Sequence, residues 1–322
     1  MAIFVVMDRQ SLELNNDIKE FLTSRRNRIT PDKVGLPIYG ERRRVKGLRR
    51  EEVAMLAGVS VDYYTRLERG HIKGASTEVL QAVAKALQLD EAETSHLFDL
   101  AHASASTPVN RRRAARAGMK DPVVREELRR IIDAMGDIPA FIRTDRRDLL
   151  YANQMGRAVF SPLYESRVSP GLSGQANTVN VARFMFLDPA AHEFFPHWDD
   201  SAADLVASLR GVAGKNPFDT VFSNLLGELL ARSEDFAQLW AAHDVRLHRA
   251  GHKVIVHPVV GELSLDFETL ELPADEGLAM ITYSAAPNTP TYERLSMLAS
   301  WMADPHTDET QAELPNSSDI SA

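Results

Sequence analysis

Residues 50–70 read REEVAMLAGVSVDYYTRLERG, and the pattern of this segment specifies how the N-terminal part of the chain folds. Apolar residues recur at helical spacing on both sides of Gly58, and Ala54 is small enough for a second helix to cross close to it. Gly58 can adopt the positive φ of a tight turn, and Ser60 is a typical N-cap residue. The pattern predicts two short helices packed as a helix-turn-helix, with an ordinary helical hairpin as the alternative. The apolar residues expected to hold the two helices together are Val53, Ala57, Val59, Tyr64 and Leu67.

The second helix of such a motif enters the DNA major groove with its first residues and its outward face. Arg66 is expected to donate a forked pair of hydrogen bonds to a guanine, and Glu68 is expected to pair with a nearby arginine because an acid facing DNA is unfavourable. For each candidate contact, an ordinary solvated surface position is the alternative. The predicted DNA-contacting residues are Arg43, Arg44, Arg49, Ser60, Val61, Asp62, Thr65, Arg66 and Arg69.

Charge is divided unevenly along the chain. The whole chain has a net charge of −8, yet residues 13–73 carry 14 Lys and Arg against 9 Asp and Glu, a local net charge of +5. Residues 131–322 carry 13 against 27, a net charge of −14. A basic segment on an acidic chain indicates a dedicated nucleic-acid surface.

Composition bounds the class of protein. A length of 322 residues suits two domains, and a composition of 44% hydrophobic and 25% charged residues is typical of a globular protein. The absence of cysteine excludes disulfides and thiolate chemistry, and it favours the cytoplasm. The apolar run at residues 3–7 is too short for a signal peptide, and no run is long enough for a transmembrane helix.

Pattern along the chain predicts an all-α part followed by a mixed part. We expect a helix from Leu12 to Arg28, an irregular basic stretch from Thr30 to Gly47, and later helices capped by Ser76 and Asp90. Further on, we expect strands at residues 139–144 and 149–152, and helices over residues 201–212, after an Asn216–Pro217 cap, and after Ser233. Alternation of apolar and polar residues from Glu262 to Glu268 predicts an antiparallel strand.

The resulting domain prediction is a helix-turn-helix domain over 11–103, a basic linker over 104–119, a sheet-containing domain over 120–302 and a disordered tail over 303–322.

Four segments carry a resemblance that extends from about Leu12 to Leu298. They are GLRREEVAMLAGVSVDYYTRLERG (Gly47–Gly70), LLYAN (Leu149–Asn153), LWAAHDVR (Leu239–Arg246) and HPVVGELSLDFETL (His257–Leu270). In these segments the chain resembles the XRE-type helix-turn-helix regulators of the MmyB-like family. The resemblance implies an α+β multidomain protein, with a five-helix lambda-repressor-like domain followed by a PAS-like antiparallel sheet domain that senses a fatty-acyl-like ligand. Residues 1–10 lie outside it and are interpreted as an extension from an upstream start.

A site for an apolar ligand needs large lining side chains and a few polar groups that hold a head group. Arg246 is a candidate for holding a carboxylate, with a structural ion pair to Asp244 as the alternative. For each apolar candidate, an ordinary core position is the alternative. The predicted ligand-contacting residues are Asn153, Phe184, Phe222, Leu226, Trp240, His243, Asp244, Arg246, Leu265 and Phe267.

The sequence lacks the motifs that are typical of several enzyme classes and of metal sites. No catalytic motif of a hydrolase, nucleotide-binding enzyme or zinc protease occurs, so we expect no enzyme activity, with a DNA-tethered enzyme or a purely dimerising C-terminal domain as alternatives. His192, His197, His252 and His257 lack the spacing of a metal site, and we expect neither metal nor cofactor. By analogy with other helix-turn-helix proteins, we expect a homodimer on double-stranded operator DNA and no membrane partner.

Overall fold

The computed structural model describes residues 2–36, 45–107, 109–110, 122–172, 177–246 and 250–303. Within these ranges the N-terminal part is helical, as expected. Its elements are α1 (Ala2–Arg28), a 3₁₀ helix (Pro31–Val34), α2 (Arg50–Ala57), α3 (Val61–Glu68), α4 (Thr77–Ala86) and α5 (Glu91–Ala105). The helix predicted to begin at Leu12 therefore begins at Ala2. The predicted tail lies almost entirely outside the described residues, as does most of the predicted linker.

The predicted caps fix where the N-terminal helices start. The Ser76 hydroxyl accepts a hydrogen bond from the backbone N–H of Val79 (3.4 Å). Asp90 and Glu93 form a reciprocal capping box at the start of α5, in which each side chain accepts from the other residue's backbone N–H. These contacts satisfy N–H groups that the first helical turn leaves without partners.

One apolar core holds the N-terminal helices together. Ile18, Phe21 and Leu22 of α1 are almost fully buried, and they join the apolar residues of α2 and α3 in a single cluster. Phe218 and Val245, which lie far along the chain, also belong to this cluster. The helical domain is therefore packed against the C-terminal part.

The C-terminal part is built on an antiparallel sheet with the strand order β3-β2-β1-β6-β5-β4. Its strands are β1 (Ala140–Thr144), β2 (Asp148–Ala152), β3 (Val179–Asn180), β4 (Ala250–His257), β5 (Gly261–Glu271) and β6 (Leu278–Ser284). The alternation predicted for residues 262–268 is confirmed, because Leu263, Leu265 and Phe267 are buried between exposed or partly exposed neighbours. The α+β architecture of a helical domain followed by an antiparallel sheet domain is confirmed.

Helices cover both faces of this sheet. The helices of the C-terminal part are α6 (Glu126–Asp133), α7 (Gln154–Val159), α8 (Ser161–Glu165), α9 (Val181–Leu187), α10 (Ala190–Phe194), α11 (Trp198–Lys215), α12 (Thr220–Arg232), α13 (Glu234–Ala241) and α14 (Pro290–Ala303). Leu128 and Ile132 of α6 pack against Ile142 and Met280 on one face. The opposite face, which we call the inner face, carries Phe141 and Ile281 and packs against α7 to α10 and α14.

One predicted helix start is wrong. Asn216 and Pro217 do not open α12, because Asn216 is the C-cap of α11 and its backbone N–H bonds the carbonyl of Val212 (3.0 Å). The cap of α12 is Asp219, whose carboxylate accepts from the N–H groups of Val221 and Phe222 (both 3.1 Å). The start after Ser233 is confirmed, since its hydroxyl accepts from the N–H of Phe236 (3.1 Å).

Candidate functional sites

Gly58 sets the turn between α2 and α3. Its φ is 67°, and its N–H donates to the carbonyls of Ala54 and Met55. Ser60 then caps α3 by accepting from the N–H of Tyr63 (3.1 Å). Val53, Tyr64 and Leu67 are buried where the two helices cross. The geometry is that of a helix-turn-helix.

The structure places the predicted DNA-contacting residues of α3 on one accessible surface. Ser60, Val61, Asp62, Arg66 and Arg69 are exposed, and Thr65 is partly exposed. We call this set the α3 surface. Within the described residues, neither Arg66 nor Arg69 forms an ion pair, which leaves both guanidinium groups available to an external partner. Arg49 is exposed as well and lies 3.3 Å from the carboxylate of Glu51. Arg43 and Arg44 lie outside the described residues.

Glu68 points away from the α3 surface, as predicted. Its carboxylate is buried and accepts hydrogen bonds from Arg26 (2.8 Å), Arg50 (2.9 Å) and Thr23 (2.9 Å). Burial alone would raise the pKa of this carboxyl, yet the hydrogen bonds from Arg26 and Arg50 hold the pKa below its ordinary value. The negative charge thus fastens α3 to α1 and α2.

The predicted apolar ligand contacts fall into two neighbouring clusters. Phe184, Leu265 and Phe267 are buried together against the inner face. Phe222 is buried in a second cluster, formed by α11 to α13, against which Leu226 and Trp240 pack. Phe186 touches both clusters. The sheet and the helices therefore enclose a continuous apolar and aromatic interior.

The predicted polar ligand contacts lie elsewhere. Asn153 is buried. Its side-chain oxygen accepts hydrogen bonds from the backbone N–H groups of Gly156 (2.8 Å) and Ala140 (3.1 Å), and its side-chain amide donates to the backbone carbonyl of Ile138 (2.8 Å). The structure therefore uses Asn153 as the cap of α7. Arg246 is exposed and pairs with Asp204 rather than with Asp244.

His243 and Asp244 lie at the interface between the helical domain and the C-terminal part of the chain. We call this interface the seam. His243 is 3.1 Å from the carboxylate of Glu20 on α1. Asp244 lies 3.5 Å from Arg25 and 3.5 Å from Arg28, and both arginines also bind the buried Glu93 (3.0 and 2.8 Å). An open cleft of about 610 Å³ runs along this seam, with Lys19, Trp240 and His243 among its lining residues. These polar residues therefore connect the two parts of the chain.

Two buried arginines escape prediction from the sequence. Arg143 lies on the inner face, opposite Ala279 of β6, and Arg147 follows in the turn between β1 and β2. The sequence does mark Arg143, because this charged residue interrupts the apolar strand AFIRT at a position whose side chain points inward. A charge at such a position indicates a function or a buried partner.

In the ranges that the structure covers, no group of three His, Asp or Glu side chains is arranged to hold a metal ion. Within the same ranges, no helix combines the length and the apolar character needed to cross a bilayer.

Comparison with known families agrees with this geometry. A helix-turn-helix domain model matches residues 40–97, and the model of the MmyB-like transcription regulator ligand binding domain matches residues 124–298. A helix-turn-helix joined to a ligand-binding domain defines a DNA-binding transcriptional regulator. The second match covers more than half of the chain, and the chain belongs to the MmyB-like transcription regulators. A search of curated proteins found no significant match.

Proposed function

We propose that this regulator reads an operator through the α3 surface and responds to a fatty-acyl-like molecule held inside its C-terminal domain. The observation that carries the proposal is the arrangement of α3, whose apolar side is fixed by burial while Arg66 and Arg69 face outward without ion-pair partners among the described residues. A helix held in this way can enter the major groove without rearrangement.

Base contacts and phosphate contacts have separate roles in this proposal. Arg66 lies on the second turn of α3, where it can donate a forked pair of hydrogen bonds to a guanine. Arg49 precedes α2, and with Arg43 and Arg44 it would contact backbone phosphates. The basic N-terminal segment adds attraction to DNA that falls as salt rises.

A homodimer fits this mode of binding. One α3 reads only a few base pairs, and helix-turn-helix proteins gain site size by placing two copies on half-sites about one helical turn apart. We propose that this regulator does the same, so that a footprint confined to a single half-site would contradict the proposal.

The ligand part of the proposal rests on the aromatic interior. Phe184, Leu265 and Phe267 line the inner face, and Phe222, Leu226 and Trp240 continue the apolar surface between α11 and α13. A long alkyl chain has the length and apolar character to follow such a surface. If the protein binds neither a fatty acid nor the matching fatty alcohol, the proposal of a fatty-acyl ligand is contradicted.

Replacement of Arg66 tests the DNA-binding proposal. We expect Arg66→Ala to weaken binding to a selected operator fragment by about 1–3 kcal/mol and to relax the base preference at one position, because a bidentate guanine contact is lost. The measurement is a gel-shift titration at fixed salt, on a fragment enriched from genomic DNA by the wild-type protein.

Arg130→Ala is the matched control. Arg130 is an exposed arginine of α6 with only a long (3.9 Å) contact to Glu127, so its loss removes one positive charge from a helix that packs on the sheet of the C-terminal part. We expect operator affinity to stay close to wild type in this variant. Equal affinity of the Arg66→Ala and Arg130→Ala proteins for the operator would refute the proposed role of Arg66.

A further inference from the structure

The outer face of the sheet, which lies opposite the inner face, is only partly covered. Among the described residues, the apolar cluster beneath α6 contains residues of β1, β2 and β6 but none of β4 or β5. Side chains alternate along β5, so Ser264 and Asp266 point outward while Leu265 between them is buried on the inner face. His252 lies directly opposite Asp266 on β4 and therefore shares the outer face. Three polar side chains thus stand together on an accessible surface.

These three side chains form one hydrogen-bonded chain. The Nε2 of His252 lies 2.8 Å from the hydroxyl oxygen of Ser264, and its Nδ1 lies 3.0 Å from the carboxylate of Asp266. A carboxylate can only accept hydrogen bonds, so the proton of the neutral ring is on Nδ1. The Nε2 then carries the lone pair and accepts from the hydroxyl of Ser264. The hydroxyl proton is therefore directed at a base that a carboxylate holds in place.

This arrangement is the one that activates a serine. A serine nucleophile needs a base within about 2.6–3.2 Å of its oxygen and a third group that orients the base. Pairing between β4 and β5 holds the three side chains on neighbouring strands, which is a rigid support for such a site. Ser296 on α14 provides a contrast, because its hydroxyl donates to the backbone carbonyl of Tyr292 (3.0 Å), which cannot take up a proton at neutral pH.

The surroundings of Ser264 favour small and reactive substrates. Val254 lies directly opposite it, and Val256, the next residue on the same face, is 38% exposed, so a short apolar group can lie beside the hydroxyl. The backbone N–H of Ser264 donates to the hydroxyl of Thr291 (3.0 Å) and is not free to stabilise an oxyanion. Loss of one oxyanion donor costs about 10²–10³-fold in rate. The site therefore suits activated esters better than amides.

We propose that Ser264 is a nucleophile that takes up an acyl group from small activated esters, with His252 as its general base and Asp266 as the residue that positions the ring. The oxygen of Ser264 bonds to the carbonyl carbon, the ester C–O bond breaks, and the hydroxyl proton passes through Nε2 of His252 to the leaving oxygen. Water activated by the same ring then releases the acyl group as a carboxylic acid and restores the serine. This chemistry uses neither the α3 surface nor the aromatic interior, so it is independent of the proposed function.

Two reagents test the proposal on the full-length wild-type protein. A serine oxygen displaces fluoride from an alkyl fluorophosphonate and keeps the phosphonyl group, and it takes an acetyl group from p-nitrophenyl acetate. We expect both reagents to modify Ser264 at least about 100-fold faster than Ser296 at neutral pH, because general-base catalysis contributes about 10²–10⁴-fold. Peptide mass spectrometry of acid-quenched samples measures the two serines together. Equal rates, or no modification of Ser264, would overturn the proposal.

Replacement of His252 tests the base. We expect His252→Gln to slow the fluorophosphonate labelling of Ser264 by about 100-fold or more and to leave that of Ser296 unchanged, since glutamine is polar but cannot take up the proton. Ser296→Ala is the matched control and should not change the labelling of Ser264. Labelling of Ser264 at the wild-type rate in His252→Gln would show that the histidine is not its base.

The positioning role of Asp266 has a spectroscopic signature. Nitrogen NMR of the His252 ring should place the proton on Nδ1 in the wild-type protein and on Nε2 in Asp266→Asn, because the asparagine amide can donate to Nδ1. We expect labelling of Ser264 to fall about tenfold or more in this variant, with the urea unfolding midpoint close to wild type. An unchanged tautomer with unchanged labelling would contradict the role of Asp266. The comparison of Ser264 with Ser296 in the wild-type protein requires no variant and decides independently.

Discussion

The carboxylate of Glu68 is 1% exposed, yet it sits at the end of the helix proposed to face DNA. Its charge is balanced by Arg26 at 2.8 Å and Arg50 at 2.9 Å. Glu228 on α12 also binds two arginines, Arg183 (2.7 Å) and Arg232 (2.8 Å), but it remains partly exposed. The two glutamates therefore form a natural comparison between a buried and a hydrated ion pair.

We expect Glu68→Gln to lower the free energy of unfolding by about 3–5 kcal/mol, because Arg26 is left buried without a counter-charge. Glu228→Gln should cost about 1 kcal/mol or less, since water replaces the lost contact. Urea unfolding at pH 7 measures both. Equal losses in the two variants would contradict the importance of burial at Glu68.

The same comparison has a pH dependence. The pKa of Glu68 is held below its ordinary value of 4.5, so its ionised form stabilises the folded protein above pH 4.5 and this contribution is lost as the pH falls further. The Glu68→Gln protein should therefore show a shallower decline in stability below pH 4.5 than the wild-type protein.

Elements with strong local patterns were predicted from the sequence, and elements set by distant contacts were not. Gly58, Ser60 and Asp90 act on their own neighbours, so the helix-turn-helix and the caps follow from short segments. Helices α7 to α10 have between five and seven residues each, which is too short for a helical period to emerge. The apolar candidates Phe184, Leu265 and Phe267 are buried, as their apolar character leads us to expect, and their contact with a ligand stays a prediction.

Polar partners could not be predicted in the same way. Arg25 contacts Asp244 across 219 positions of the chain, and Arg246 pairs with Asp204 rather than with Asp244, which is two residues away. Such pairs depend on how the helices pack, which local spacing does not record. Arg143 was missed because a strand pattern treats one charged residue among apolar neighbours as an interruption, whereas the sheet turns it inward.

At the level of elements, the contact between α5 and α11 depends on one glycine. A Cβ added at Gly214 would lie 2.4 Å from the Nδ1 of His96, closer than atoms tolerate. Gly227 on α12 is also within a helix, and a Cβ there would meet nothing within 4 Å. These two glycines separate the effect of crowding from that of helix propensity.

We expect Gly214→Ala to lower stability by about 1–3 kcal/mol, because α5 and α11 must move apart. Gly227→Ala should raise stability by about 0.5–1 kcal/mol, since alanine loses less backbone entropy in a helix. Thermal unfolding midpoints give both signs. A rise in the midpoint for Gly214→Ala would contradict the close packing of the two helices.

For the whole molecule, α1 is the element shared by both functional parts. Arg25 donates to the backbone carbonyl of His243 (2.5 Å) in the C-terminal part, and the next residue, Arg26, binds Glu68 at the end of α3. A shift of α1 caused by the C-terminal part would therefore also displace the contact between Arg26 and Glu68 at the end of α3, the helix proposed to bind DNA. These contacts form a continuous physical route between the two parts of the chain.

Histidines make this seam sensitive to acid. Burial, followed by the charge of Arg210, lowers the pKa of His96 to about 3 and that of His243 to about 4. Both are therefore neutral in the packed seam, whereas the same side chains in the unfolded chain bind protons below about pH 6.5. Because the unfolded state takes up more protons, stability falls as the pH drops from 6.5 towards 4.

We expect the wild-type protein to be less stable to urea at pH 5 than at pH 7, and His96→Leu to lose less stability between these two pH values. His252→Gln is the control, because His252 is an exposed residue of β4 whose ring contacts Asp266 and Ser264 on the neighbouring strand β5. This variant should lose as much stability as the wild-type protein. An unchanged pH dependence in His96→Leu would mean that the acid sensitivity of the molecule arises outside the contact between α5 and α11.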